Sequence, residues 1–219
     1  MKNWRLRSVG LAVLLLLAAA GMRCGGEDSP ASPSGYDLDK NPLPRFVRAN
    51  FIDPGRMARI SRFRSAAGGD YSDDLEHCRS MLHYFEPRPD LEWSSLAVFS
   101  PVNGNIVRIV QNQPVLEMVI QAQEYPDVEF HLFNLSPLES LRAGGSVRAG
   151  ESVGSYVERQ TPAAIAVSVN TTRGRRLISW FDIITDSLWF TYGECGIANA
   201  SEFIISKEAR DTDPLTCSG

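Results

Sequence analysis

Three histidines, His77, His83 and His131, are the whole imidazole supply of this 219-residue chain, beside four cysteines, Cys24, Cys78, Cys195 and Cys217. With Asp73 they define what these residue types allow: a metal centre assembled from His77, His83, His131 and Asp73, or no such centre. The spacing argues against assembly. Six residues separate His77 from His83, which takes them off a common helix face, and the carboxylate after His83 falls three residues on, at Glu86. No C-x-x-C occurs, so a cysteine zinc site is not indicated. The chain also lacks a P-loop and a dinucleotide fingerprint, and three scattered histidines offer no serine-hydrolase constellation. For each histidine an ordinary structural role is the simpler reading.

The segments that must position these residues begin late. Lys2, Arg5 and Arg7 precede an apolar run, Val9 to Ala20, that is too short to span a bilayer. It reads as a secretory signal peptide, residues 1–20, cut after Ala20. Cys24, followed by two glycines and a polar stretch, is the candidate for lipidation if the chain is a bacterial lipoprotein. Export would remove three positive charges, leaving the mature chain more acidic than the formal −4 of the whole sequence. That balance excludes a dedicated nucleic-acid binder, which needs a basic footprint. A hydrophobic fraction of 43% with 22% charged residues excludes wholesale disorder. Residues 21–45, rich in Gly, Ser, Pro and Asp, read as a disordered linker, which leaves one domain over 46–217. In an exported protein the cysteines point to disulfides. The favoured bridge is Cys78–Cys217, with Cys195 free or paired to Cys24.

Two helical pieces are expected first. Asp53-Pro54 has the form of an N-cap with proline at the first helical position, and Met57, Ile60 and Phe63 follow at threefold spacing. Asp73 and Glu76 imitate a capping box, and Leu75, Cys78, Leu82 and Phe85 form one stripe, so a helix is expected over 73–85. Arg56, Arg59, Arg62 and Arg64 read as a solvated face. From Leu96 the texture turns to strands: 96–99, 105–111, 115–121, 128–134, 165–169 and 177–183, with Asn103-Gly104 as a tight turn. The fold class is therefore mainly β with a small α component and an N-terminal helical extension, the core lying over 96–184.

Four pieces of the β region, in order, resemble the M23 (LytM-like) zinc peptidases. Ser100-Pro101-Val102-Asn103-Gly104-Asn105-Ile106-Val107 is similar to their A-P-x-x-G-x-V opening, and Phe130-His131-Leu132-Phe133-Asn134-Leu135-Ser136 to their Y-x-H-L-S strand. The stretch from Gly144 to Gly154 is similar to G-D-x-V-x-x-G-x-x-I-G. Ala164 to Val169, with Arg173-Gly174-Arg175 and Leu177 behind it, occupies the place of H-x-H-F-E-V and N-G-x-x-V. The resemblance spans Ser100 to Ile183 and implies an antiparallel duplicated-hybrid-motif barrel or sandwich. Small biotinyl and lipoyl carriers share the glycine crossover, but their modified lysine is missing here.

The same resemblance locates a groove whose zinc ligands are gone. Gly69 stands in the histidine's place of H-x-x-x-D, with Asp73 as the surviving carboxylate. Ala164 and Ala166 fill both H-x-H positions, and Asn134 rather than His131 falls where an assisting histidine belongs. No catalytic residue and no zinc or other cofactor is then expected. What the resemblance implies is an exported protein of the periplasm or outer envelope that binds peptidoglycan or regulates a cell-wall hydrolase. It would touch the membrane only through its signal peptide or a lipid anchor. An active zinc endopeptidase and a structural protein docking an envelope partner are the alternatives. Tyr125, Tyr156 and Trp180 are candidate stacking residues by type, with core packing the simpler role for Trp180. Asp182–Asp186 and Ser206–Asp213 are polar and receive no role.

Overall fold

The computed structural model describes residues 35–111, 116–157, 162–196 and 199–217. The expected signal peptide, Cys24 and the first part of the expected linker lie outside them. Among the described residues no helix is long and apolar enough to cross a membrane.

Among the described residues there are eleven strands and three α-helices. The strands are β1 (Met57–Ile60), β2 (His83–Pro87), β3 (Ala97–Phe99), β4 (Gly104–Val110), β5 (Glu117–Ala122), β6 (Val128–Phe133), β7 (Leu135–Pro137), β8 (Ser146–Val147), β9 (Ser152–Tyr156), β10 (Ala163–Thr171) and β11 (Gly174–Ile178). The helices α1 (Trp180–Ile183), α2 (Asp186–Gly193) and α3 (Lys207–Thr212) all follow the strands. The larger sheet runs β1-β2-β10-β6-β5-β4-β8, with β11 also on β10, and a three-stranded sheet runs β3-β9-β7. All strand pairs are antiparallel. The class is the expected β-rich one, but the larger sheet is open rather than a closed barrel.

Alternation along the central strands explains the layering. Met118, Ile120, Phe130, Leu132, Ile165 and Val167 point one way and meet Val98, Leu135, Val153 and Tyr156 of the small sheet in the main core, with Trp180 and Phe181. Within the small sheet the chain needs glycine. A Cβ on Gly154 would stand 2.2 Å from the Ser136 carbonyl oxygen, so only glycine lets β9 lie this close to β7. Strand β10 is buried on both faces. Its opposite face presents Ala164 and Ala166, which join Phe63, Met81, Leu82 and Leu177 in a second apolar cluster.

Several expectations fail for identifiable reasons. The helical extension is absent: Asp53 does cap a turn, accepting from the Gly55 amide at 2.9 Å, but the turn ends at Arg56 and β1 follows. No helix covers 73–85 either, because the capping residues close a single turn and then stop. Asp73 Oδ1 accepts from the amides of Leu75 and Glu76, both at 2.9 Å, yet Leu75 is 44% exposed while Leu82 and Phe85 enter two different apolar clusters, so the stripe does not share one face. Cys78 then adopts φ +59°, which no helix continues. Asn103-Gly104 is not a hairpin turn, since β3 and β4 belong to different sheets. The expected strand 177–183 stops at Ile178, where Ser179 caps α1 by accepting from the Phe181 amide. Residues 35–45, expected as part of the linker, are packed on the domain: the Tyr36 amide donates to the Asn170 carbonyl at 2.9 Å, and Leu38 and Leu43 rest on the core.

Candidate functional site

The outer face of β10, β6, β5 and β4 forms the floor of an open groove of about 900 Å³. Register dictates which residues share it. His131 stands opposite Ala166 on one side and Val119 on the other, and Glu117 opposite Phe133. The groove therefore collects Glu117 and Val119 from β5, Glu129, His131 and Phe133 from β6, Val107 and Arg108 from β4, and Ala164 from β10. Its rim comes from the segment between β1 and β2, through Gly69, Asp70 and Tyr71, with Tyr84 and Arg175 beside it. Gly68 lets that segment pass: at φ +72° it lies where a Cβ would come within 2.1 Å of the Tyr84 hydroxyl.

A hydrogen-bonded chain runs across this floor. Arg108 Nη2 donates to Glu117 Oε2 at 2.8 Å, and His131 Nδ1 lies 2.9 Å from Glu117 Oε1. Since the carboxylate can only accept, Nδ1 donates to it, and Nε2 is hydrogen-bonded to the Ser168 hydroxyl at 2.9 Å. Glu129 Oε2 stands 3.9 Å from Nε2. Burial would push the Glu117 carboxyl up, but the His131 hydrogen bond and the positive charge of Arg108 outweigh it and hold it below the usual range. Burial raises the Tyr71 and Tyr84 phenols, which remain hydroxyl donors. The Arg175 guanidinium lies 5.7 Å over the Tyr71 ring and donates to the Ser72 carbonyl at 3.2 Å, and Tyr71 meets Phe133 edge-on.

Ser168, His131 and Glu117 stand in the order of an acyl-transfer triad. Ser168 is wholly buried and does not line the groove, so its hydroxyl has no path to a substrate. The chain of bonds fixes His131 and ties four strands, β4, β5, β6 and β10, together.

The residues singled out by sequence separate into two groups. Gly69, His131, Asn134 and Ala164 come together around the groove. Asp73 does not. Its carboxylate is buried and turned to the edge of β11, where Oδ2 accepts the Leu177 amide at 2.8 Å, while Asp74 accepts the Arg175 amide at 2.7 Å. The two aspartates cap the open edge of β11, a structural task. Ala166 is 1% exposed beneath Phe63, Met81 and Leu82, outside the groove. Asn134 occupies the corner between β6 and β7 at φ +59°, and its side-chain amide donates to the Pro162 carbonyl at 2.8 Å. This is backbone geometry that asparagine tolerates, and it commits the side chain to the turn.

Zinc held as the resemblance implies does not fit these residues. Two of its positions carry methyl groups, the glycine offers no side chain, and the one carboxylate already accepts three amides. The assembled alternative also dissolves: His77 is exposed, His83 is buried in β2, and His131 is held on the groove floor. Among the described residues the single cluster of close metal-type ligands is Asp70, Cys78 and Cys217, whose sulfurs form the Cys78–Cys217 disulfide. That bridge is the expected one, and Cys195 is exposed and unbridged among the described residues. The stacking candidates are elsewhere: Tyr156 and Trp180 are core residues and Tyr125 packs on Phe46. The groove's own aromatics are Tyr71, Tyr84 and Phe133, which no sequence pattern marks. Glu117 carried a usable signal, a lone charge inside an apolar strand.

No protein-family model matches the chain, and a search of characterised proteins gives no match. Solved structures give partial likenesses. The catalytic domain of the antimicrobial peptidase lysostaphin from Staphylococcus simulans is 13% identical with a TM-score of 0.40, over 64% of this chain and 95% of that domain. A Ruminococcus gnavus protein assigned as the glycyl-glycine endopeptidase LytM is 12% identical at 0.39, over 54% of this chain and 48% of its own length. The solution structure of lysostaphin is 14% identical at 0.36, over 73% and 62%.

Proposed function

We propose that this chain is a non-catalytic recognition module of the bacterial cell envelope, and that its groove takes the peptide part of peptidoglycan. The observation that carries the reading is the packing of Ala164 and Ala166 with Phe63, Met81 and Leu82: where the resemblance wants metal ligands there is apolar contact. A groove with neither ligand set nor accessible nucleophile can still bind. Charges of both signs, Arg108 and Arg175 against Asp70 and Glu129, suit a ligand carrying carboxylate and amine groups, and Tyr71, Tyr84 and Phe133 offer apolar faces. Export through residues 1–20 would deliver the domain to such a ligand. A cell-wall hydrolase bound in place of the polymer is the other outcome that the groove allows.

Val107 provides the test, because it lines the groove yet is 41% exposed, so a larger side chain there obstructs the groove without entering the core. The native chain should co-sediment with purified sacculi, and Val107→Trp should reduce retention by about tenfold, the loss of a single well-placed contact region. Equal retention of both forms would remove the groove as the binding site.

A further inference from the structure

The rim of the groove is made by a segment with little secondary structure of its own. Between β1 and β2 it is held by isolated backbone bonds, Arg64 to Ser80, Ser80 to Ser65, Tyr71 to Arg79 and Met81 to Tyr71, at 2.7–3.1 Å. A second support comes from the far end of the chain. Arg210 of α3 donates through Nε to the Arg64 carbonyl at 2.9 Å, Asp211 pairs with Arg79 at 3.0 Å, and Cys217 bridges to Cys78 across 139 residues. Gly69 and Asp70 line both the groove and the small cleft beside this disulfide. Cys217 is exposed and Cys78 half-buried, so the bridge is open to a reductant.

We propose that the Cys78–Cys217 disulfide is a redox-operated latch on the groove: oxidised, it holds the C-terminal strap 207–217 against the rim, and reduced, it releases both. Its effect on ligand rests on the groove being the binding site; the latch itself does not. The reductant is a dithiol. One thiolate attacks Cys217 Sγ, forming a mixed disulfide and expelling the Cys78 thiolate, which takes a proton. The second thiolate then closes the reductant's own disulfide and expels Cys217, which is protonated in turn. Two electrons and two protons pass from the dithiol to the protein. Asp70 Oδ2 lies 4.0 Å from Cys217 Sγ, and its negative charge repels an arriving thiolate. Asp70→Asn should therefore be reduced faster than the native chain. Among the described residues the strap otherwise reaches the rim through the Asp211–Arg79 ion pair and the Arg210 bond to the Arg64 carbonyl, too few to hold a segment already short of secondary structure.

Hydrogen exchange read by mass spectrometry tests the latch on the whole chain, with and without dithiothreitol. Reduction should speed exchange in peptides covering 64–82 and 207–217 by at least about tenfold and leave β4, β5 and β6 unchanged. The Cys78→Ser/Cys217→Ser double variant should show the fast rate in both conditions. Unchanged exchange at 64–82 overturns the latch, and so does loosening of the central strands, which would make the bridge a global staple. Sacculus retention measured alongside separates the two claims. Rim loosening with no retention of the oxidised chain supports the latch and removes the groove's proposed ligand. Rim loosening with equal retention of both forms overturns the latch's control of binding.

Discussion

Lowering the pH from 7.5 to 5 offers a proton to His83 that the folded chain has no room to accept. The ring is buried in β2 with both nitrogens engaged: Nδ1 lies 2.9 Å from the Ser61 carbonyl and Nε2 2.9 Å from the Ser179 hydroxyl, which itself accepts the Phe181 amide. Phe63 and Phe181 close over the ring. Burial drives the imidazole from its ordinary 6.5 down to about 4, against the small opposite pull of the Ser61 carbonyl. The sign follows. Between these values the unfolded chain holds a proton that the folded chain lacks, so stability is complete above pH 6.5 and drains away as pH falls toward 4. Linkage gives a loss of roughly 2 kcal/mol between pH 7.5 and 5, rising to ~3 kcal/mol below pH 4. Glu76 and Glu117, whose carboxyls the structure holds low, act below that window: their contribution is lost as pH falls under about 4.5. Urea unfolding at pH 7.5, 6 and 5 measures the effect, and His83→Gln isolates it, since glutamine can donate and accept without titrating. The native chain should lose ~2 kcal/mol more than the variant over this range. Equal losses in the two proteins would refute a buried neutral His83.

Two other substitutions follow from the packing. Ala166→His places an imidazole beneath Phe63 and Met81; it should cost about 1–3 kcal/mol in urea unfolding through overpacking, and metal analysis should find no gain in zinc. Asp73→Ala strands the amides of Leu75, Glu76 and Leu177, and should cost about 2–3 kcal/mol with metal content unchanged. A fall in bound zinc on that substitution would restore Asp73 as a ligand.

The strands were legible because their apolar positions are β-branched or aromatic and each run ends at turn residues, as at β5, β6 and β10. Half of the groove was legible for the same reason: once β6 and β10 are placed, period-two alternation puts His131 and Ala164 on one face. The segment between β1 and β2 was not. Its local signals were real, for Asp73 does accept the amides of Leu75 and Glu76, but a capped turn becomes a helix only when its apolar stripe finds a core. Here Leu75 faces solvent while Glu76 is buried between Arg64 and Arg79, with Arg64 Nη2 at 2.8 Å and Arg79 Nη1 at 2.6 Å. Arginines that read as a solvated row thus include one that neutralises a buried carboxylate. Nothing within that segment announces a partner as distant as Arg210. The fate of Asp73 was illegible for the same reason: its third partner, the Leu177 amide of β11, lies a hundred residues away in sequence and 2.8 Å away in space.

Incubating sacculi with the purified chain in excess zinc and measuring soluble peptide released tests the central claim most directly. The packed alanines predict that the chain sediments with the polymer and that release stays at the level of buffer alone. Release of peptide fragments that a chelator abolishes would contradict the account and return the chain to the zinc endopeptidases.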